Sequence, residues 1–130
     1  MGLVTLKEIL SESIVGKYAV GAFDALDDCF ADAIIQAAEK KRLPVIIMIP
    51  HLLFKFEGFS SYLPMLLDRC RHMTVPACLH LDHRDSFECC IKAIRSGCSS
   101  VMFDGSTLPI EENIAITKKV VEVAHVCGQR

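Results

Sequence analysis

Three features of this 130-residue sequence predict an α/β fold built on a parallel sheet. Short, almost uninterrupted apolar runs recur along it: "YAVGAF", "LPVIIMI", "VPACLHL" and "SSVMF". Longer amphipathic stretches separate them. Polar residues gather where each run ends. Strands that stay apolar on both faces belong inside a sheet covered on both sides, and strict alternation with helices gives parallel crossovers.

The elements follow in order. A helix opens at "TLKE", where Thr5 is placed to cap and Glu8 to reach back, with Leu6, Leu10 and Ile14 at helical spacing. "KYAVGAF" is a short strand ending near Asp24. "DDCFADAIIQAAEKK" is a helix with Phe30, Ile34 and Ala37 on one face. Pro44 introduces the buried strand "LPVIIMI", and "SSYLPMLLDRCR" is a helix whose first turns Pro64 disturbs. Pro76 introduces the third strand, "VPACLHLD"; Cys78, His80 and Asp82 share one face, Leu79 and Leu81 the other, and His83 is the first residue past it. Asp85 and Glu88 form a capping box for "DSFECCIKAIRSG", which carries a stripe of Phe87, Ile91 and Ile94 and stops at Gly97. "SSVMFDG" is the fourth strand. The last helix, "PIEENIAITKKVVEVAH", places Ile110, Ile114, Thr117, Val121 and Ala124 on one face. The chain therefore reads as one domain over 1–130, a leading helix followed by four βα units.

Composition excludes several classes. Net charge is −2, Trp is absent and the basic residues are scattered, so neither nucleic acid nor an anionic membrane is an expected partner. The most apolar run, "LPVIIMIPHLLF", is too short and too broken by proline to span a bilayer. "MGLVTLKEIL" lacks the pattern of a signal peptide, and Leu6 breaks that of myristoylation. The cysteines number seven, with no C-x-x-C. Cys78, Cys89, Cys90 and Cys98 lie in apolar-periodic segments, so a reduced, cytoplasmic protein is expected.

Two architectures fit this pattern, an open doubly wound sheet and half of a (β/α)8 barrel. Both place function at the carboxyl ends of the strands. Those ends are "FDALDD", "IPHLLF", "HLDHRDS" and "FDGSTLP". The pair Asp82 and His83 stands out, because burying either costs several kcal/mol unless it is paired or bound to a metal. One reading is a strand end that meets water, with Asp85 capping the next helix. The other is an acid/base carboxylate beside a metal-binding imidazole. A catalytic zinc takes three protein ligands, and one H-x-x-H segment supplies two histidines at most, so spacing alone leaves both open.

The segment "LHLDHRDSFECCIKAIRSGCSSVMFDGSTLPIEENIAITKKVVEVAH" resembles the class II, metal-dependent ketose-bisphosphate aldolases. That family carries an H-L-D-H-G segment, an S-V-M-I-D-G-S-H-L-P strand end and an E-E-N-I helix. "VGAFDALDD" and "LPVII" match its first two βα units more loosely. The resemblance implies the (β/α)8 TIM-barrel family, with this chain an N-terminal half-barrel of four βα units and a leading helix. It implies reversible aldol cleavage of fructose- or tagatose-bisphosphate to dihydroxyacetone phosphate and glyceraldehyde 3-phosphate, with Zn2+ as Lewis acid on the C2 and C3 oxygens. Asp82 aligns with the acid/base that exchanges a proton with the C4 hydroxyl. His83 aligns with the first of three histidine zinc ligands, and Asp104 with an aspartate near an alternative or second metal position. Asp24 stands where an asparagine commonly touches substrate. A Schiff-base route is disfavoured by the residues themselves: Lys17, Lys40 and Lys41 precede strands, and Lys118 and Lys119 lie in a helix.

There are departures from the family pattern. Arg84 replaces the glycine after H-L-D-H and is expected to set a cation beside the ligand; Pro50 stands where a phosphate-contacting serine is common, and Thr107 replaces a histidine. The family's other two histidine ligands, its glutamate and its phosphate loops have no counterpart within 1–130. His51 is a candidate for a rebuilt site with His83. The expectations are a phosphorylated ketose or triose ligand, an incomplete Zn2+ set, no turnover by the 130 residues alone, and a homo-oligomer, since a half-barrel leaves two sheet edges open. The rival is a noncatalytic half-barrel that serves as an assembly or interaction module. A doubly wound binding domain ranks last, for want of a G-x-G-x-x-G or P-loop signature.

Overall fold

The computed structural model describes residues 2–129, the side chains of His51 and Lys55 apart. A leading helix α1 (Leu6–Gly16) precedes β1 (Gly21–Asp24), α2 (Asp28–Lys41), β2 (Val45–Pro50), a 3-10 turn (His51–Lys55), α3 (Phe59–His72), β3 (Ala77–Arg84), α4 (Phe87–Arg95), β4 (Ser100–Phe103) and α5 (Ile110–Val126). The strands are parallel and ordered β1-β2-β3-β4. Each crossover moves on in the same direction, as in a closing barrel, whereas a doubly wound sheet reverses at its switch point. The architecture is that of half a (β/α)8 barrel.

Both faces of the strands are covered, but by different partners. Ile47, Ile49, Leu79 and Leu81 are fully buried under α2 to α5, against Leu66, Cys70 and Cys90. On the inner face Ile46 and Cys78 pack against Ile9, with Leu6 and Met48 at their margin. Thus α1 closes only the amino-terminal part of the inner face. Beyond it the same face turns polar, at His80 and Asp82. That is why the apolar runs look continuous and then stop abruptly at their carboxyl ends.

The expected capping box of α1 is present: Glu8 N donates to Thr5 Oγ1 at 3.3 Å, and Thr5 N to Glu8 Oε2 at 2.7 Å. Helix α3 runs unbroken through Pro64 instead of being disturbed by it. An interior proline costs about 3 kcal/mol, but Leu63, Leu66 and Leu67 are buried on this helix, each stabilising by roughly 1.5–3 kcal/mol. Tyr62 Oη donates to the carbonyls of Ala25 and Asp27, both at 3.0 Å, and Arg69 pairs with Asp28 and Asp32. These contacts tie α3 to the β1–α2 connection.

Four local expectations are corrected. Strand β3 extends two residues past Asp82, to Arg84, so His83 lies within it. Helix entry therefore shifts, and Ser86 caps α4 in place of Asp85; Cys89 N donates to Ser86 Oγ at 3.4 Å. In α2 the buried residues are Ala31 and Ala38, and the Phe30/Ala37 side is exposed. In α5 Val120 and Ala124 are buried, while Ile110, Ile114, Thr117 and Val121 face outward. Both helices flank an open sheet edge, so each buries one side only.

The seven cysteines are free thiols. Burial pushes Cys70 and Cys98 up to about 12, and Cys78 and Cys90 up to about 11, so they act as small core hydrophobes. Among the described residues no helix is long and apolar enough to cross a membrane.

Candidate functional site

A β-bulge builds the site. Between Leu81 and Arg84 the register slips: Leu81 pairs with Val101 but Arg84 with Phe103, three steps on β3 against two on β4. The extra residue is absorbed at His83, which takes φ of +45°, the left-handed region that a non-glycine residue seldom adopts. The bulge leaves Asp82 on the inner face and swings His83 over the rim. Pairing then resumes, with Asp104 N donating to Arg84 O at 2.6 Å.

This backbone brings three of the four predicted residues together. His83 Nδ1 lies 2.9 Å from Asp104 Oδ2, and His83 Nε2 lies 3.9 Å from Asp82 Oδ1. The Ser106 backbone amide donates to the other Asp104 oxygen at 3.0 Å. Bonds from Ser106 and His83 hold the Asp104 carboxyl down at about 2. The same Asp104 contact, then the charge of Asp82, raises the His83 imidazole above its ordinary value. With Nδ1–H assigned toward Asp104, the neutral ring presents Nε2 as its free lone pair. A metal-ligating histidine is characteristically held this way, by a carboxylate on its other nitrogen.

A second imidazole reaches Asp82 from below. His80 is nearly buried; its Nδ1 lies 2.8 Å from Ser100 Oγ and its Nε2 3.9 Å from Asp82 Oδ1. Burial lowers its affinity for a proton, against the opposing pull of Asp82. Asp24 ends β1, in register with Met48, which pairs with His80. It therefore shares the inner face but stands two strands across from Asp82 and two residues below it, about 12 Å at ordinary strand spacing and rise.

Arg84 is not where the sequence expectation placed it. Its side chain is buried, Nη2 donates to Cys89 Sγ at 2.5 Å, and the guanidinium carbon sits 5.6 Å from the Phe54 ring centroid. Phe54 packs against the helix-side core, so the cation is engaged there. The His51 side chain lies outside the described residues, and with it the His51/His83 pairing. Sequence reasoning missed Ser100 and Ser106. The first had a signal: His80 and Ser100 are direct cross-strand partners, and a serine inside an apolar strand needs a reason.

The residues present do not by themselves make a zinc centre. The rim supplies one free imidazole nitrogen with a carboxylate beside it, against the three protein ligands a catalytic zinc takes. Among the described residues no group of three or more His, Cys, Asp or Glu side chains converges as a metal site.

Comparisons with known proteins place the chain. It is 44% identical over 131 residues to the fructose-bisphosphate aldolase of Geobacillus stearothermophilus, an alignment covering 98% of this chain and 46% of the relative. It is 45% identical over 127 residues to the 6-phospho-5-dehydro-2-deoxy-D-gluconate aldolase of Halalkalibacterium halodurans, covering 95% and 44%. The crystal structure of the YdjI aldolase from Escherichia coli K12 superposes with a TM-score of 0.91 at 29% identity, over 98% of this chain and 48% of that one. The chain thus spans about half the length of the relatives it matches. The family model for class-II fructose-bisphosphate aldolase matches residues 4–130, and the chain belongs to that family.

Proposed function

We propose that these residues form the proton-transfer side of a class II ketose-bisphosphate aldolase site. The reaction is reversible aldol cleavage of fructose- or tagatose-bisphosphate to dihydroxyacetone phosphate and glyceraldehyde 3-phosphate. The observation that carries the reading is the bulge at Leu81–Arg84. Lys17 and Arg42 take the same left-handed region at helix C-caps, but His83 takes it inside a strand, at a bulge, and bulges of this kind are over-represented beside active sites. Here it sets Asp82, His83 and Asp104 in one hydrogen-bonding and ionic chain.

In this reading Asp82 is the catalytic acid/base at the substrate's C4 hydroxyl. Its carboxylate is accessible from the barrel mouth, and the imidazoles of His80 and His83 flank it at 3.9 Å each. His83 offers Nε2 as one metal donor, and Asp104 fixes the ring that carries it. Asp24 contacts substrate across the mouth. This reading takes the remaining zinc donors from outside the described residues, and no turnover is expected of residues 1–130 alone. The relatives' names include a fructose-bisphosphate aldolase and a 6-phospho-5-dehydro-2-deoxy-D-gluconate aldolase, which supports a phosphorylated keto sugar or keto sugar acid as the substrate class.

A second reading, a noncatalytic assembly module, is favoured by Pro50. It lies in register with Asp82 and has no hydroxyl for a phosphate. Grafting residues 1–130 in place of the matching half of the Geobacillus stearothermophilus relative separates the two. The catalytic reading expects zinc-dependent cleavage of fructose 1,6-bisphosphate, lowered by roughly 10²–10⁴ in kcat on Asp82→Asn. An unchanged kcat in a folded, zinc-loaded Asp82→Asn chimera would reject it. The isolated chain is expected to show no chelator-sensitive turnover.

A further inference from the structure

Strand β3 carries two histidines whose Nδ1 partners differ in kind. His83 Nδ1 faces a carboxylate, Asp104 Oδ2, which when ionised can only accept. His80 Nδ1 faces a hydroxyl, Ser100 Oγ, which can donate or accept. His80 and Ser100 are in direct register across β3 and β4, so the sheet itself sets the pair. Both are shielded: Ser100 is 7% exposed and the His80 side chain 12%.

Two observations choose between the tautomers of His80. Among the described residues Ser100 Oγ has no hydrogen-bond partner besides His80 Nδ1, so a proton on Nδ1 would leave the shielded hydroxyl proton without an acceptor. It would also turn the Nε2 lone pair toward Asp82 Oδ1 at 3.9 Å, acceptor against acceptor. With the hydroxyl donating to Nδ1 both conflicts vanish, because Nε2 then carries its proton toward the carboxylate. The doubly protonated ring is disfavoured by burial, against the opposing pull of Asp82. The Nε2 atoms of His80 and His83 face the same oxygen, Asp82 Oδ1, at 3.9 Å each. At that length an N–H acts on a carboxylate as a dipole on a charge, without a direct hydrogen bond.

We propose that Ser100 and His80 are positioning residues for Asp82. The Ser100 hydroxyl donates to His80 Nδ1 and fixes the neutral ring as the Nε2–H tautomer. That N–H holds the Asp82 carboxylate by Oδ1 and leaves Oδ2 for the substrate's proton. The tautomer stands on the geometry alone, whereas its catalytic use rests on the reading of Asp82 as the acid/base.

The tautomer is read from long-range proton–nitrogen NMR correlations of the histidine rings in the purified chain, on the alkaline side of their titrations, with His80 assigned through His80→Gln. A protonated Nε2 and an unprotonated Nδ1 are expected for His80, and Ser100→Ala should shift the Nδ1 resonance as its donor is lost. A proton on Nδ1 in the wild type, or an Nδ1 resonance that Ser100→Ala leaves unmoved, overturns the proposal. The catalytic use is read in the zinc-loaded chimera with the Geobacillus stearothermophilus relative. His80→Leu should lower kcat by roughly 10–100-fold with KM little changed. His80→Gln, whose amide can set an N–H near the place of Nε2, should recover most of that loss. Equal kcat in the two variants, both folded by circular dichroism, overturns the positioning role, as does a loss confined to KM. If Asp82→Asn itself leaves kcat unchanged, the catalytic use falls with the reading of Asp82, while the NMR result decides the tautomer separately.

Discussion

Ser100→Ala probes the support beneath the proposed acid/base. Ser100 Oγ is 2.8 Å from His80 Nδ1, both residues are largely shielded from water, and His80 Nε2 faces Asp82 at 3.9 Å. Removing the hydroxyl loses one hydrogen bond, about 1 kcal/mol, and leaves a shielded ring nitrogen without its partner, a further ~1–2 kcal/mol. The expected destabilisation is about 2 kcal/mol. For a chain of 130 residues that lowers Tm by roughly 8 °C, at about 4 °C per kcal/mol. Urea unfolding followed by circular dichroism, at one fixed protein concentration, should show a lower midpoint with an unchanged slope. The decisive comparison is a double-mutant cycle with His80→Leu. If the two side chains satisfy each other, the double variant is more stable than the summed single losses by about 1 kcal/mol, since neither polar group is then stranded. Additivity within about 0.5 kcal/mol would refute the pairing, and with it the claim that Ser100 orients His80 toward Asp82.

Two further outcomes follow from the rim. Asp104→Asn should return the His83 pKa toward its ordinary value, read from the pH titration of its ring protons by NMR; an unmoved titration would mean the contact is not made in solution. The sign of the pH dependence is fixed by both partners. His83 is raised above 6.5, so its contribution is full below 6.5 and lost as pH rises through the raised value. Asp104 is lowered from 3.8 to about 2, so its contribution is full above 3.8 and lost as pH falls through about 2. The pair therefore steadies the rim most between 3.8 and 6.5. Gly105→Ala should destabilise by about 1–3 kcal/mol, because a Cβ there would lie 2.4 Å from the Asn113 side chain. Trimming the obstacle, Asn113→Ala, in the same chain should recover part of the loss, and no recovery in the thermal melt would contradict that packing.

The order of elements was legible because each βα unit is written twice, once as an apolar run and once as a helical stripe. The half-barrel was not legible from pattern alone. Strand order depends on which way each crossover turns, and an amphipathic stripe carries no record of that. The same limitation explains α2 and α5. Periodicity located the apolar faces of both helices, Phe30/Ala37 and Ile110/Ile114, but could not say that these faces lie beyond the sheet's two edges. A stripe shows what a helix would bury, whether or not the described residues supply the cover.

The site was legible in composition and illegible in geometry, and the bulge accounts for both. Strict alternation puts His83 opposite Asp82, facing the outer helices, so a regular strand would have kept the two side chains apart. One inserted residue on β3 reverses that outcome: Asp82 keeps its face, and His83 turns to meet Asp104. It also explains Arg84. Counted along a regular strand, residue 84 shares the inner face with Asp82 and would crowd the mouth. With the bulge absorbed at His83, Arg84 pairs with Phe103, and its guanidinium lies by Cys89 and Phe54. The family's glycine and this chain's arginine are thus both compatible with an open mouth, because the position points outward. The left-handed residue is what makes this possible: Lys17 and Arg42 take the same region at helix C-caps, whereas His83 takes it inside a strand, where it turns the imidazole to the aspartate at the end of β4.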